Sequence, residues 1–115
     1  VSKYFALDEF ACHCGCGFNS INPLLLALMD DIREKAGVPI IVTSGCRCEY
    51  WNRHEGGEEN SQHLYGNACD FTCEEISMEQ LAQWAEELQA DGVGRYSTWI
   101  HADCREGRTG GKYRW

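Results

Sequence analysis

Ser61-Gln62-His63-Leu64-Tyr65-Gly66-Asn67-Ala68-Cys69-Asp70-Phe71-Thr72 is the stretch on which the reading of this chain turns. Asn67 to Thr72 is read as a strand, and His63 stands just before it. A sharp turn at Gly66 would bring the His63 imidazole and the Asp70 carboxylate together, and that pair suits a borderline cation such as zinc. About thirty residues on, in Trp99-Ile100-His101-Ala102-Asp103-Cys104-Arg105, the span Trp99 to Cys104 reads as strand. Period-2 alternation puts His101 and Asp103 on one of its faces and Ile100, Ala102 and Cys104 on the other. Either segment alone is consistent with an ordinary solvated face. Together they supply three conventional ligands and a further carboxylate, a common plan for a zinc hydrolase.

The elements around these strands come from periodicity. Asn22-Pro23 opens a helix, Leu25, Leu28, Met29 and Ile32 form its apolar stripe, and Gly37 closes it. Val38 to Thr43 is rich in branched residues and reads as a central strand. Residues 44 to 62 read as a long loop with one helical turn near Glu49 to Arg53. Ser77 and Gln80 make a capping box for a second helix with Met78, Leu81, Ala82, Ala85 and Leu88 inside, ended by Gly92 and Gly94. The tail from Glu106 is polar and glycine-rich. Helices and strands without a regular βαβ repeat imply an α+β fold: a small, largely antiparallel sheet with helices packed on one side, in a single domain over residues 1–115.

Composition removes several function classes. A formal net charge of −8 disfavours a non-specific nucleic-acid binder or a protein docked on anionic lipid, both of which need clustered Lys and Arg. The longest apolar run, Leu24 to Met29, is far too short to span a bilayer, so stable membrane insertion is not expected. Eight cysteines leave two readings open. Disulfide staples in an exported domain are the main expectation. Alternatively, the Cys12, His13, Cys14, Cys16 cluster holds a structural metal, although C-x-C-x-C is not the usual C-x2-C knuckle. Alternation also suggests that Cys69 and Cys104 pair behind the candidate site.

Four stretches in order, DEFACHCGCG (8–17), PIIVTSGCRC with the following WNRHEGG (39–57), SQHLYGNACD (61–70) and GRYSTWIHADCR (94–105), give the chain a wider likeness. It resembles the D-alanyl-D-alanine carboxypeptidase family of zinc peptidases, in particular its compact bacterial and phage branch, which includes related peptidoglycan endopeptidases. The SxHxxGxAxD element followed by HxD is the most specific part of the match. The resemblance implies a hedgehog/DD-peptidase-like fold and a Zn2+ cofactor held by His63, Asp70 and His101. It also implies a substrate in the peptide stem of bacterial peptidoglycan. Arg47 then matches an active-site arginine that meets substrate carboxylate or carbonyl groups, which fits the fork geometry of a guanidinium.

One position departs from several branches of that family. The acidic residue expected three before the last histidine is Thr98 here. Asp103 is the replacement expected to act as catalytic base, with orientation of His101 or Arg47 as its alternative role. Ser61, Gln62, Tyr96 and Trp99 are expected to line the substrate site, with Trp115 as a further wall residue. The chain is expected to act as a monomer on the cell wall, as a secreted, periplasmic or phage-delivered protein; the export route is not visible in the chain. Two rivals are a Cys–His hydrolase using Cys104 and a non-catalytic zinc-containing wall-binding or structural module of the same fold, as the hedgehog domain illustrates.

Overall fold

The computed structural model describes residues 2–115. Helix α1 (Pro23–Ala36) begins where the sequence places it. The Asn22 side chain accepts from the Leu24 N–H, and Gly37, at φ +68°, ends the helix with its N–H on the Arg33 carbonyl. Leu25, Leu28, Met29 and Ile32 form its buried stripe. Helix α3 (Met78–Glu87) starts with the Ser77 hydroxyl accepting from the Gln80 N–H and buries Leu81, Ala82 and Ala85. A short helix, α2 (Glu49–His54), falls where a helical turn is expected, and 3-10 turns cover Leu7–Phe10 and Gln62–Tyr65.

Five strands form one sheet: β1 (Ile41–Ser44), β2 (Ala68–Thr72), β3 (Gly92–Arg95), β4 (Ile100–Asp103) and β5 (Tyr113–Arg114), in the order β1-β2-β4-β3-β5. Every neighbouring pair is antiparallel except β3–β5. Helix α3 packs on β3 and β4, and α1 packs against α3. The fold is therefore the expected α+β arrangement, with Phe71, Val93, Ile100 and Ala102 facing the helices to make the core. The alternate residues Asp70, His101 and Asp103 are thereby turned to the other face.

The structure corrects three sequence expectations. Val38 to Thr43 is not a central strand: β1 starts at Ile41, lies at the sheet edge, and leaves Ile41 46% exposed. The apolar run is long because Val38 and Ile40 fill the core from the connection after α1, ahead of the ladder. Gly92 and Gly94 do not end α3. That helix stops at Leu88, with Gln89 in the left-handed region, and the two glycines lie inside β3. A Cβ at Gly92 would run into the Asp103 carboxylate, and one at Gly94 into the Trp115 indole, so close approach at the polar face requires both glycines.

The cysteine staples are the third correction. All eight cysteines are free. Cys69 faces Ala102 across the ladder, not Cys104, and both cysteines are buried as small apolar side chains in the core. The tail, for which the sequence suggests no element, adds strand β5 beside β3. It is drawn in by one carboxylate: Asp91, fully buried, accepts N–H bonds from Glu106, Arg108, Thr109 and Gly111. Burial pushes the Asp91 carboxyl up, but these N–H groups outweigh it and hold it below the usual aspartate value.

Because that pKa is lowered on folding, the stabilisation is present above the ordinary aspartate range near pH ~4 and is lost as pH falls through the folded value. Asp91→Ala is expected to cost about 3 kcal/mol at neutral pH, by removing a buried charged acceptor shared by four backbone N–H groups. The deficit, read from urea denaturation midpoints, should shrink as the pH drops below that range.

Candidate metal centre

Antiparallel register assembles the site. Asp70 on β2 lies directly opposite His101 on β4, and His101 lies opposite Gly94 on β3. An irregularity between Val42 and Ser44 sets Ser44 of β1 opposite Asp70 on the other side. One row across the sheet thus reads Ser44, Asp70, His101, Gly94. His63 comes from the 3-10 turn Gln62–Tyr65, where its own backbone N–H donates to the Ser61 hydroxyl. Gly66, at φ +71°, then turns the chain into β2, and a Cβ there would strike the Ser20 carbonyl.

Three donor atoms converge. Asp70 Oδ1 lies 3.3 Å from His63 Nε2 and 3.2 Å from His101 Nδ1, and His63, Asp70 and His101 each offer a ligand atom within 4.8 Å of the others. The outer nitrogens are committed elsewhere. His63 Nδ1 lies 2.7 Å from the Gly45 carbonyl oxygen, which can only accept, so Nδ1 carries the hydrogen and Nε2 presents a lone pair. His101 Nε2 donates to Asp103 Oδ2 at 2.7 Å, leaving Nδ1 for a cation. Two neutral imidazoles and a carboxylate, each oriented from behind, are a donor set that fits zinc.

Asp103 stands behind His101 and has no exposed surface. Besides His101, it takes the Arg105 backbone N–H and Nε on Oδ1 and the Arg105 Nη2 on Oδ2, so four donors fill the lone-pair sites of its two oxygens. Arg47 approaches the cluster from the opposite side. Its Nη2 donates to Asp70 Oδ2 at 3.2 Å, Nε to the Ser44 hydroxyl and Nη1 to Asn52 Oδ1. That uses three of the five guanidinium N–H groups.

A cleft of about 700 Å³ opens over the cluster. Ser61, Gln62, Tyr96, Trp99 and Trp115 all line it, together with Arg47. Tyr96 and Trp99 stack with centroids 4.4 Å apart, and the Trp115 Nε1–H donates to the Tyr96 hydroxyl. Sequence reasoning missed the Gly45 carbonyl, Asn52, Arg105 and the cleft carboxylates Glu55, Glu58 and Glu59. Asn52 and Arg105 lie inside stretches that carry the family likeness, but nothing in their spacing marks a role. Cys104 is not a nucleophile in waiting: burial pushes its thiol up to about 12, on the core side of the sheet.

Electrostatics match this wiring. Burial pushes the Asp70 carboxyl up, but hydrogen bonds to His101 and His63 override it and hold it well below the carboxylate range. For His101 burial lowers the pKa, yet the Asp103 and Asp70 carboxylates raise it by more.

A family model for Peptidase M15 matches residues 3–103, the greater part of the chain. The chain belongs to this family. Peptidase M15 is a family of zinc peptidases, and the His63–Asp70–His101 cluster is geometrically consistent with a zinc site of this kind. No curated protein matches the chain. Among the described residues no helix is long and apolar enough to cross a membrane.

Zinc binding to this M15 peptidase should depend on pH through His101. The ligand must be neutral, so affinity falls as pH drops through the raised imidazole pKa. Asp103→Asn removes a carboxylate that raises it. Competition against a chromophoric chelator should show zinc affinity about 10- to 100-fold weaker at high pH, with the gap narrowing as pH falls and protons displace zinc from the parent first.

Proposed function

We propose that residues 1–115 form one zinc peptidase domain that hydrolyses an amide bond in the stem peptide of bacterial peptidoglycan, as a D-Ala-D-Ala carboxypeptidase or a related endopeptidase. The observation that carries this reading is the placement of Arg47 beside the three converging donors on the floor of one cleft, with two N–H groups unspent. A cation site next to a half-used guanidinium suits a substrate that presents a scissile carbonyl and, close to it, a carboxylate. Zinc bound by His63, Asp70 and His101 supplies Lewis-acid polarisation of that carbonyl and water of lowered pKa.

The chain's own groups do the rest. Arg47 grips the carboxylate end of the substrate and, through Asp70 Oδ2, holds the ligand oxygen in place. The stacked Tyr96–Trp99 pair and Trp115 form an apolar wall that limits water at one side of the cleft. Ser61 and Gln62 serve mainly to build the turn beneath it, because Ser61 caps the turn and Gln62 Oε1 accepts from Asn67. Asp103 enters as a positioning residue: with its lone pairs taken by His101 and Arg105, it fixes the imidazole and is poorly placed to accept a proton from a substrate water. The domain is proposed to act as a monomer. A wall substrate places that action outside the bacterial cytoplasm, by secretion, in the periplasm or by phage delivery.

Digestion of purified peptidoglycan and of synthetic stem peptides, read by mass spectrometry, tests the reading. The zinc-loaded chain should release terminal D-Ala or one defined stem fragment. A peptide with a free carboxyl terminus should be cut about 10- to 100-fold faster than its amide, the worth of a charge-assisted pair with Arg47. Loss of activity in Asp103→Asn should be restored by excess zinc, whereas a proton-accepting role would leave the zinc-saturated variant inactive. Absence of any cut by a zinc-saturated parent would favour a non-catalytic wall-binding module.

A further inference from the structure

Away from the cleft, a second set of ligating atoms converges. The sulfurs of Cys12, Cys14, Cys16 and Cys48 all lie within 4.8 Å of one another. Cys12 and Cys14 Sγ are 3.5 Å apart, Cys12 and Cys48 3.8 Å, and Cys14 and Cys48 3.5 Å. Four thiolates at the corners of a tetrahedron around zinc, with Zn–S near ~2.3 Å, stand about 3.8 Å from one another. A disulfide joins two sulfurs and sets others aside. A near-equilateral triangle with a fourth sulfur close by is the pattern that one central cation imposes.

The backbone is built for this convergence. Gly15 and Gly17, at φ +85° and +89°, let Cys12, Cys14 and Cys16 curl to one point, and the turn is tied by the Cys12 N–H on the Phe18 carbonyl at 2.8 Å. Cys48 arrives from the connection between β1 and α2. Its N–H points at Cys12 Sγ at 3.5 Å, and the Trp51 N–H points at Cys48 Sγ at 3.4 Å. Such N–H groups disperse thiolate charge. His13, a neighbour in sequence, is exposed and stands edge-on to Trp51 with ring centroids 6.4 Å apart.

We propose that Cys12, Cys14, Cys16 and Cys48 form a second metal site, a closed four-thiolate centre that takes a structural zinc ion. Binding forms four Zn–S bonds, releases the thiol protons to solvent and involves no redox change. Four protein ligands leave no open position, so the ion holds structure and does no chemistry. What it holds is the loop that serves the first site. Within this loop Gly45 supplies the carbonyl that orients His63, and Arg47, next to Cys48, reaches Asp70. Gly45 lies so tightly on the Phe10 backbone that a Cβ would overlap it, and the Cys46 N–H donates to the Phe10 carbonyl. The thiolate centre clamps the N-terminal segment on this loop and so fixes the backing of His63 from a distance.

The test uses the full chain, prepared under reducing conditions and loaded with zinc or cobalt(II). Elemental analysis should give two zinc ions per chain, falling to one in His63→Ala and to one in Cys14→Ser. Cobalt(II) should give strong thiolate-to-metal charge-transfer absorption that survives in His63→Ala and is absent in Cys14→Ser. Cys16→Ser, at the exposed corner, is the milder variant should Cys14→Ser fail to fold, and its cobalt absorption should be weakened. Zinc at the His63 site should bind about 10-fold more weakly in the cysteine variants, as expected when the support behind a ligand loosens. One zinc per chain that disappears entirely in His63→Ala would overturn the proposal. So would disulfide-linked peptides among these four cysteines in a map of the zinc-loaded chain. Neither result depends on peptidase activity, so a chain that cut no peptide would leave this test intact.

Discussion

The antiparallel register of β2 against β4 is the constraint on which the rest depends. It sets Asp70 opposite His101, and a one-residue slip of β2 would send Asp70 into the core and bring Cys69 and Phe71 out. The helices prevent that slip. Ile100, Ala102 and Val93 are packed beneath α3 and Phe71 is buried in the same core, so the apolar side of the sheet can face only one way. The energy that holds the ligands in place is thus hydrophobic and lies on the face opposite the site.

On the polar face the difficulty is charge. Arg47, Asp70, His101, Asp103 and Arg105 form one hydrogen-bonded chain in which His101 stands between the two carboxylates and an arginine holds each outer end, largely out of water. A lone buried carboxylate would be costly, but each carboxylate here has partners on both sides, and among the described residues no buried polar side-chain atom is left without a hydrogen bond. The two arginines close the chain at its ends. They also restrict the lone pairs of Asp70 and Asp103, so that Asp70 keeps one oxygen for a cation and Asp103 is turned wholly toward its neighbours. The glycines of β3 serve the same packing: only a strand without side chains at residues 92 and 94 lets Asp103 and Trp115 lie against it.

The molecule has little core to spend on its loops, and polar anchors position them instead. Asp91 gathers the segment from Glu106 to Gly111 and brings β5 and Trp115 to the cleft wall. At the other end, the cysteine cluster and the Phe10 backbone hold the loop that carries Gly45 and Arg47. Both devices use a few concentrated hydrogen-bonding or ligating groups where a larger protein would use apolar area.

The sequence by itself determined the two main helices with their N-caps, the α+β class and the three candidate ligands. These are local matters: a 3.6 or 2.0 period and a cap depend on residues a few positions apart. The HxD alternation likewise placed His101 and Asp103 on one face before any partner strand was known. Only the tertiary structure decided which strand lies at the edge, that Gly92 and Gly94 belong to a strand, that the tail pairs with β3 and that the cysteines are free. It also showed Asp103 backing His101 with its lone pairs taken. Each of these depends on what a residue meets across the fold: Cys48 on the N-terminal cysteines, Arg105 on Asp103, Asn52 on Arg47. Such long-range meetings leave no periodic trace in the chain, because they follow from how the elements pack and not from how neighbouring residues are spaced.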